Sequence, residues 1–467
     1  MNAADEALLV DEVVARARAA QARFEAGAVQ ERYDRAAQAA AWAIMEPARN
    51  RALAELAVKT TGLGNIADKI TKNHRKTLGL MRDIAGVQTC GVLSDNPETG
   101  ITQIARPIGV IGAVVPSTNP AATPANNIIN ALKCGNAIVL SPSPKGVATC
   151  ELLLDYIQSE FAKIGADPDL VQMIPAPGSK GKTQRLLETA DLVVVTGSQD
   201  NVRRAYSSGT PAIGVGAGNV TVIVDETADL AAAAQKIAAS KTFDNATSCS
   251  SENAVVVVDA VYDTFVAELA RNGGATVANE GAIVSRLWPD GKLNRMVIAQ
   301  DVGPTVEALG LAGALPDDTR FIAVETEGIG PRHPLSGEKL SLVLSLYRAS
   351  DFEAAVETAG RILAHQGAGH SIGIHTGLDE RAMVLGTTLP TCRVIVNQAH
   401  TFATGGSFTN GMPFSLSMGC GSWGGNSIDE NLHWRHFMQT TKIVREIPAR
   451  EPALDEIFSS YWAEAGK

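Results

Sequence analysis

Apolar positions in the first ninety residues recur every three to four places. LVDEVVARARAAQARF, YDRAAQAAAWAIM, ARNRALAELAVKTTG and KNHRKTLGLMRDIAG follow one another within residues 5–90 and predict a run of helices. After Gly91 the period drops to two. GITQIARPIGVIGAVVP (100–116) alternates around a Pro-Ile-Gly break and predicts a hairpin, then a buried strand ending at Pro116. Helical patterns then alternate with nearly continuous apolar runs. Helices are expected over 120–135, 146–165 and 182–190, and strands over 136–144, 170–177, 191–198 and 219–225. Strands that are apolar on both faces and separated by helices indicate a parallel, doubly wound sheet.

A second α/β series starts at the helix DLAAAAQKIAASKTF. Its strands are AVVVVD (254–259), FIAVET (321–326), LSLVLSLY (340–347), HSIGIHT (370–376) and RVIVNQ (393–398). The stretch 274–318 has little pattern and is expected to be a surface excursion. Residues 402–427 are glycine-rich and read as loop before a C-terminal helix and tail.

Composition narrows the classes. The chain has 467 residues, 45% of them hydrophobic and 5% aromatic, enough for two or three domains with large α/β cores. A net charge of −10 argues against nucleic acid or an anionic membrane as partner, although a local basic pocket for an anionic ligand stays open. No apolar run is long enough to span a membrane, and the N-terminus lacks the features of a secretory signal. The six cysteines (90, 134, 150, 249, 392 and 420) show no CxxC or metal-type spacing, so no metal site is expected. That usage fits a reducing cytoplasm.

The chemistry centres on Cys249, in KTFDNATSCSSENAVVVVD (241–259). Small polar neighbours at a helix-to-strand junction leave a thiol reachable, and a thiolate attacks carbonyl carbon well. By itself this context is as compatible with an incidental cysteine. Gly197 and Ser198 end the strand VVVTGS, where phosphates meet backbone N–H groups and a helix N-terminus; a plain βα turn would look the same. AIGVGAGN (212–219) permits close backbone approach or a tight crossover. Asn119, in VVPSTNPAATPANN, is a candidate oxyanion donor beside the Cys249 N–H, or a turn residue. Glu338, in SGEKLSLVLSLY, is placed to bind ribose hydroxyls, or is an ordinary surface glutamate.

Taken together, STNP, VVVTGS, GVGAGN, KTFDNATSC, GEKLS, GAGHS at His370 and SMGCGSWGGNS (417–427) resemble the aldehyde dehydrogenase superfamily over essentially the whole chain. They resemble most its coenzyme-A-acylating branch. The resemblance implies two doubly wound α/β domains and a small bridging β element. The cofactor-binding domain would span 1–225 without the hairpin at about 91–109, and the catalytic domain 226–425. Residues 91–109 and 426–467 would bridge copies into a homodimer or homotetramer.

It also implies roles. Cys249 carries the acyl group, Asn119 with backbone N–H groups holds the oxyanion, and His370 either assists a thiol or only shapes the site. Ser117, Thr118, Ser141, Pro142, Lys145, Thr196, Gly197, Ser198, Gly216, Gly218, Glu338 and Leu340 would bind NADP or NAD. Hydrolytic relatives carry a water-activating glutamate where this chain has GVGAGN, so the thioester should wait for coenzyme A. They also carry KPSE where this chain has SPSPKG, which leaves NADP admissible and slightly favoured. Glu252 is expected to be structural rather than a substitute base.

NPAATPANNIINALKCGNAIVLSPSPKG, GKLNR (291–295) and NQAHTFATGGSFTNGMPFSLSMGCGSWGGN resemble the acylating sulfoacetaldehyde dehydrogenases. That would make sulfoacetaldehyde the substrate, with Asn127, Thr247, His400, Thr401 and Asn410 as candidate lining residues. Acylating acetaldehyde, propionaldehyde or succinate semialdehyde enzymes and a non-acylating dehydrogenase are the alternatives. A non-catalytic member of a larger assembly is the rival of a different class. No iron-type alcohol dehydrogenase segment follows, so a bifunctional enzyme is not expected.

Overall fold

The protein is described from a computed structural model covering residues 3–278 and 280–466. Four helices, Ala3–Glu25, Gln30–Met45, Pro47–Thr61 and Ile66–Ile84, open the chain as the apolar stripes predict. The hairpin β1 (Gly91–Asn96) and β2 (Ile101–Pro107) then projects, with most of β1 exposed.

A five-stranded parallel sheet follows. It consists of β3 (Val110–Val115), β4 (Ala137–Pro142), β5 (Val171–Met173), β6 (Leu192–Val195) and β7 (Ala212–Gly214), in the order β5-β4-β3-β6-β7. The central strand β3 is buried at all six positions because helices cover both faces.

The second sheet contains β8 (Val220–Val224), β9 (Glu252–Val258), β10 (Gly274–Val277), β11 (Phe321–Glu325), β12 (Val343–Ala349), β13 (Ile372–His375) and β14 (Val394–Val396). Its order is β10-β11-β12-β9-β8-β13-β14, all parallel. Finally β15 (Met438–Val444) pairs antiparallel with β2 along its full length, and a helix Leu454–Ala465 follows. The fold class expected from the sequence is the one observed.

The stretch 274–318 is a correction. It supplies β10 and helices Glu280–Leu287 and Val302–Ala308, and it buries Ile283, Leu287, Val297 and Leu309 against Ile322, Val324, Leu335 and Val343. Its apolar residues are spread across short elements, so no one window shows a period. Among the described residues, no helix is long and apolar enough to cross a membrane.

Candidate active site

The two sheets meet end to start. A cavity of about 910 Å³ lies where the carboxyl ends of β3, β4 and β6 face the segments that lead into β8, β9 and β12. Ser117 and Thr118 follow β3, Ser141 and Pro142 close β4, and Thr196, Gly197 and Ser198 follow β6; all line the cavity. On the opposite wall stand Gly216, Gly218, Thr247, Cys249, Glu338 and Leu340. The crevice beyond the carboxyl ends of a parallel sheet is where such sheets bind ligands.

The chain presents Cys249 through a left-handed turn. Helix Leu230–Thr242 ends and Asp244, Asn245 and Ala246 follow with φ of 49°, 53° and 59°. Asp and Asn tolerate this region better than most residues, whereas alanine there costs roughly 1–2 kcal/mol. Buried contacts hold the turn. The Asp244 carboxylate accepts from Lys69 Nζ at 3.1 Å, Lys72 Nζ at 2.5 Å, Thr247 Oγ1 at 2.7 Å and Asn65 N at 3.0 Å. Burial alone would raise its pKa, but Lys72 and Lys69 hold it below the usual carboxylate value.

Lys72 also donates to Asn119 Oδ1 at 2.9 Å. That bond leaves the Asn119 Nδ2–H groups free to donate into the cavity, which Asn119 lines. Sequence reasoning missed Lys72 and its neighbours. The available signal was four cations, Lys69, Lys72, Arg75 and Lys76, spaced to share one helix face in an acidic chain. The face is buried: Lys69, Lys72 and Lys76 are 4%, 5% and 9% exposed.

His370 stands behind the nucleophile, with Nε2 3.3 Å from Cys249 Sγ. Its Nδ1 is 2.7 Å from Ser371 Oγ, which in turn is 2.9 Å from His400 Nε2. Burial and the Arg393 charge lower the His370 pKa to about 3, so the imidazole is neutral. Burial first and the Glu338 carboxylate second push the Cys249 thiol up to about 12. Burial raises Glu338 to about 8, and its carboxyl group has no protein hydrogen-bond partner among the described residues.

Four expected site residues lie elsewhere. Asn127 is fully buried within helix Ala122–Lys133. His400 is buried and takes part in the His370 chain rather than lining the cavity. Asn410 braces its own loop: its amide accepts from Ser407 N at 3.2 Å and Met412 N at 3.1 Å and donates to Gln398 Oε1 at 3.1 Å. Lys145 donates to Thr61 O at 3.3 Å, away from the cavity, whereas Lys180 lines it. Each of the four sits in a resembling segment, but sequence position does not say which way a side chain turns. Thr401 does line the cavity. Glu252 is fully buried, and its Oε1 accepts from His400 N at 3.3 Å.

Within the segment Val215–Gly218 that borders Cys249 there is no carboxylate, and the acidic residues lining the cavity are Asp200 and Glu338. The arrangement suits covalent capture of a carbonyl followed by transfer to a nucleophile other than water.

Comparison with known proteins agrees with this geometry. The profile of the aldehyde dehydrogenase family matches residues 1–279. An acylating sulfoacetaldehyde dehydrogenase of Cupriavidus necator is 56% identical over 457 residues, 97% of this chain and 92% of that protein. An acetylating succinate-semialdehyde dehydrogenase of Clostridium kluyveri is 36% identical over 96% of this chain and 98% of its own length. The crystal structure of an acetylating aldehyde dehydrogenase from Geobacillus thermoglucosidasius superposes with a TM-score of 0.91 at 31% identity, covering 97% of this chain and 99% of that one. With its nucleophile loop, glycine crossover and paired sheets, the chain belongs to the aldehyde dehydrogenase family.

Proposed function

We propose that this protein is an NAD(P)-dependent, coenzyme-A-acylating aldehyde dehydrogenase that converts sulfoacetaldehyde to sulfoacetyl-coenzyme A. The observation that carries the acylating reading is a nucleophilic cysteine bordered by a glycine segment without a carboxylate. The likeness to the Cupriavidus necator enzyme supports the substrate.

The cavity fits a dinucleotide. At Gly197 and Gly178 the space a Cβ would take is open, with the nearest atoms at 4.0 and 3.9 Å, so phosphate can approach the backbone there. Ser117, Thr118, Ser141, Pro142, Thr196, Gly197 and Ser198 would hold it, and the unpartnered Glu338 carboxyl would take ribose hydroxyls. Lys180, which lines the cavity, favours NADP by offering a cation to a 2′-phosphate. When bound, the nicotinamide accepts the two electrons and the hydrogen that turn a thiohemiacetal into a thioester.

Cys249 Sγ adds to the aldehyde carbon while the Cys249 N–H and Asn119 Nδ2 hold the oxyanion. His370 Nε2 takes the thiol proton only transiently and releases it to solvent through the cavity, because burial and Arg393 favour the neutral imidazole. In both states Nδ1–H donates to Ser371 Oγ, whose hydroxyl donates to His400 Nε2. In the second half-reaction the vacated Nε2 takes the proton of the coenzyme A thiol, whose sulfur attacks the acyl carbon. The C–S bond to Cys249 breaks, and the departing Cys249 thiolate takes that proton back from His370.

The domain boundary is drawn slightly before the expected residue 225, because β8 (Val220–Val224) pairs with β9 and β13 in the second sheet. Residues up to β7, without about 91–109, would hold the dinucleotide, and those from β8 to 425 carry Cys249. Residues 91–109 and 426–467 join copies into a homodimer or homotetramer. Exposed Val92, Val444, Leu454, Ile457 and Tyr461 support that role.

The test is steady-state turnover of sulfoacetaldehyde, acetaldehyde, propionaldehyde and succinate semialdehyde with each nicotinamide cofactor, with and without coenzyme A. Cofactor reduction should match coenzyme A thioester formed, and Cys249→Ala should lower turnover by roughly 10⁴-fold or more. Free acid made at full rate without coenzyme A would overturn the acylating reading. Equal efficiency with unsubstituted aldehydes would remove sulfoacetaldehyde.

A further inference from the structure

Helix Ile66–Ile84 brings four cations toward the nucleophile loop, and two of them are neutralised there. Lys69 and Lys72 share the Asp244 carboxylate. Arg75 and Lys76 lie further along and line the cavity with no carboxylate partner. Lys76 Nζ donates to the carbonyls of Gly405 and Ser415 at 2.5 and 3.0 Å. Burial, with the Arg75 and Lys72 charges, lowers its pKa to about 7, so its third N–H is there only while the amine is protonated, as an anion alongside would favour. Arg75 has no hydrogen-bond acceptor among the described residues; its guanidinium only lies over the Phe402 ring, 4.9 Å from the centroid.

An arginine half-sheltered from water without an acceptor is unusual, because desolvating its donors is costly. The aromatic wall keeps it in place. Phe402 packs on Phe243 with ring centroids 4.6 Å apart, and Lys72 occupies the other ring's face at 5.6 Å. Cys249 and Lys76 are within electrostatic range of each other, so these cations belong to the reacting end of the cavity. Asp200 stands with the β6 segment, leaving Glu338 as the acid on the Cys249 wall.

We infer that Arg75, assisted by the free N–H of Lys76, receives the anionic end of the aldehyde and selects a sulfonate-bearing substrate over an unsubstituted one. The fork of a guanidinium matches two oxygens of a tetrahedral sulfonate, and a buried charge-assisted pair is stronger than a neutral hydrogen bond. This role replaces the one that sequence position gave to Asn127, His400 and Asn410. The identity of the anion rests on the sulfoacetaldehyde reading; the existence of the anion site does not.

The experiment compares wild type with Arg75→Leu, Arg75→Gln and Arg75→Lys. The first readout is the ratio of kcat/KM for sulfoacetaldehyde to that for acetaldehyde. The second is competitive inhibition by 2-hydroxyethanesulfonate against acetaldehyde. Arg75→Leu should lower the ratio by about 10- to 100-fold and raise the inhibition constant by a similar factor, the loss of a charged hydrogen-bonded pair. Arg75→Lys should recover part of both. If Arg75→Leu does not fold, Arg75→Gln carries the same comparison. An unchanged ratio, an equal loss on both aldehydes, or a change confined to KM for coenzyme A would overturn the inference. Wild type that does not prefer sulfoacetaldehyde sinks the substrate reading alone, provided that sulfonate inhibition still depends on Arg75. Wild type that no sulfonate inhibits sinks the anion site as well.

Discussion

Two stretches border Cys249, and they shape its site by opposite means. The segment Val215–Gly218 contributes backbone: it joins β7 to β8, and a Cβ on Gly218 would lie 2.2 Å from Cys249 O and 2.6 Å from Cys249 Cβ. Helix Ile66–Ile84 contributes side chains, from about 170 residues earlier in the chain. One stretch works by having no side chain at Gly218 to interfere, the other by burying long charged ones. A change in the first should displace the nucleophile, and a change in the second should alter what surrounds it.

The largest effect is expected at Lys72. Lys72→Met removes the donor that orients Asn119 and one of the two cations on buried Asp244. Loss of an oriented oxyanion donor predicts a kcat lower by about 10²–10³-fold, and a broken buried ion pair predicts a clear drop in melting temperature. Gly218→Ala should cost about 10²-fold in kcat/KM, the penalty for a nucleophile displaced by an ångström, and the loss should be alike for every aldehyde. If Gly218→Ala changed aldehyde selectivity, or Lys72→Met left melting unchanged, the contrast between the two stretches would fail.

A smaller effect concerns the thiol. With burial and Glu338 pushing Cys249 up to about 12, the thiolate fraction of the cofactor-free enzyme grows as pH rises. Alkylation by iodoacetamide should therefore accelerate steadily through pH 7–10, about tenfold per unit, without a plateau near the usual thiol value. Glu338→Gln removes the nearby negative charge and should speed alkylation at pH 8 by less than about tenfold, under one pK unit. A plateau near pH 8 would show a thiol much more acidic than this site makes it.

The smallest is an acid-stability effect. The Asp244 pKa is depressed in the fold, so its contribution is complete above the ordinary carboxylate value and is lost as pH falls through the folded one. Asp244→Asn should weaken acid-range dependence of the melting temperature relative to wild type.

Much of the fold was legible because its signals are local. Most strands of both sheets show as apolar runs, and Gly197 and Ser198 were found from their place at the end of one. Ser117, Thr118, Ser141, Pro142 and Thr196, which also line the cavity, came from the resemblance to aldehyde dehydrogenases. Cys249, Asn119 and Glu338 stood out by their place beside strands, and the resemblance assigned their roles. What escaped depends on direction and distance. KNHRKTLGLMRDIAG reads only as one more helix; buried lysines are rare, and the partner of Lys72, Asp244, lies far along the chain. Lys145 was expected at the cofactor because it follows SPSP, but its side chain turns to Thr61 O, and the course of the backbone brings Lys180 to the cavity instead. The His370–Ser371–His400 chain joins residues from separate elements, so no window contains it.

Ala246 carries the last consequence. With φ of 59° it sits where glycine would be more comfortable, at the end of the left-handed turn that presents the nucleophile. Ala246→Gly would relieve that strain but would also add freedom to the segment before Cys249 and to the unfolded chain. Stability and placement of the thiol thus make different demands on one small side chain. A search for a sturdier enzyme at this position has to weigh relief of strain against order in the segment that carries the thiol.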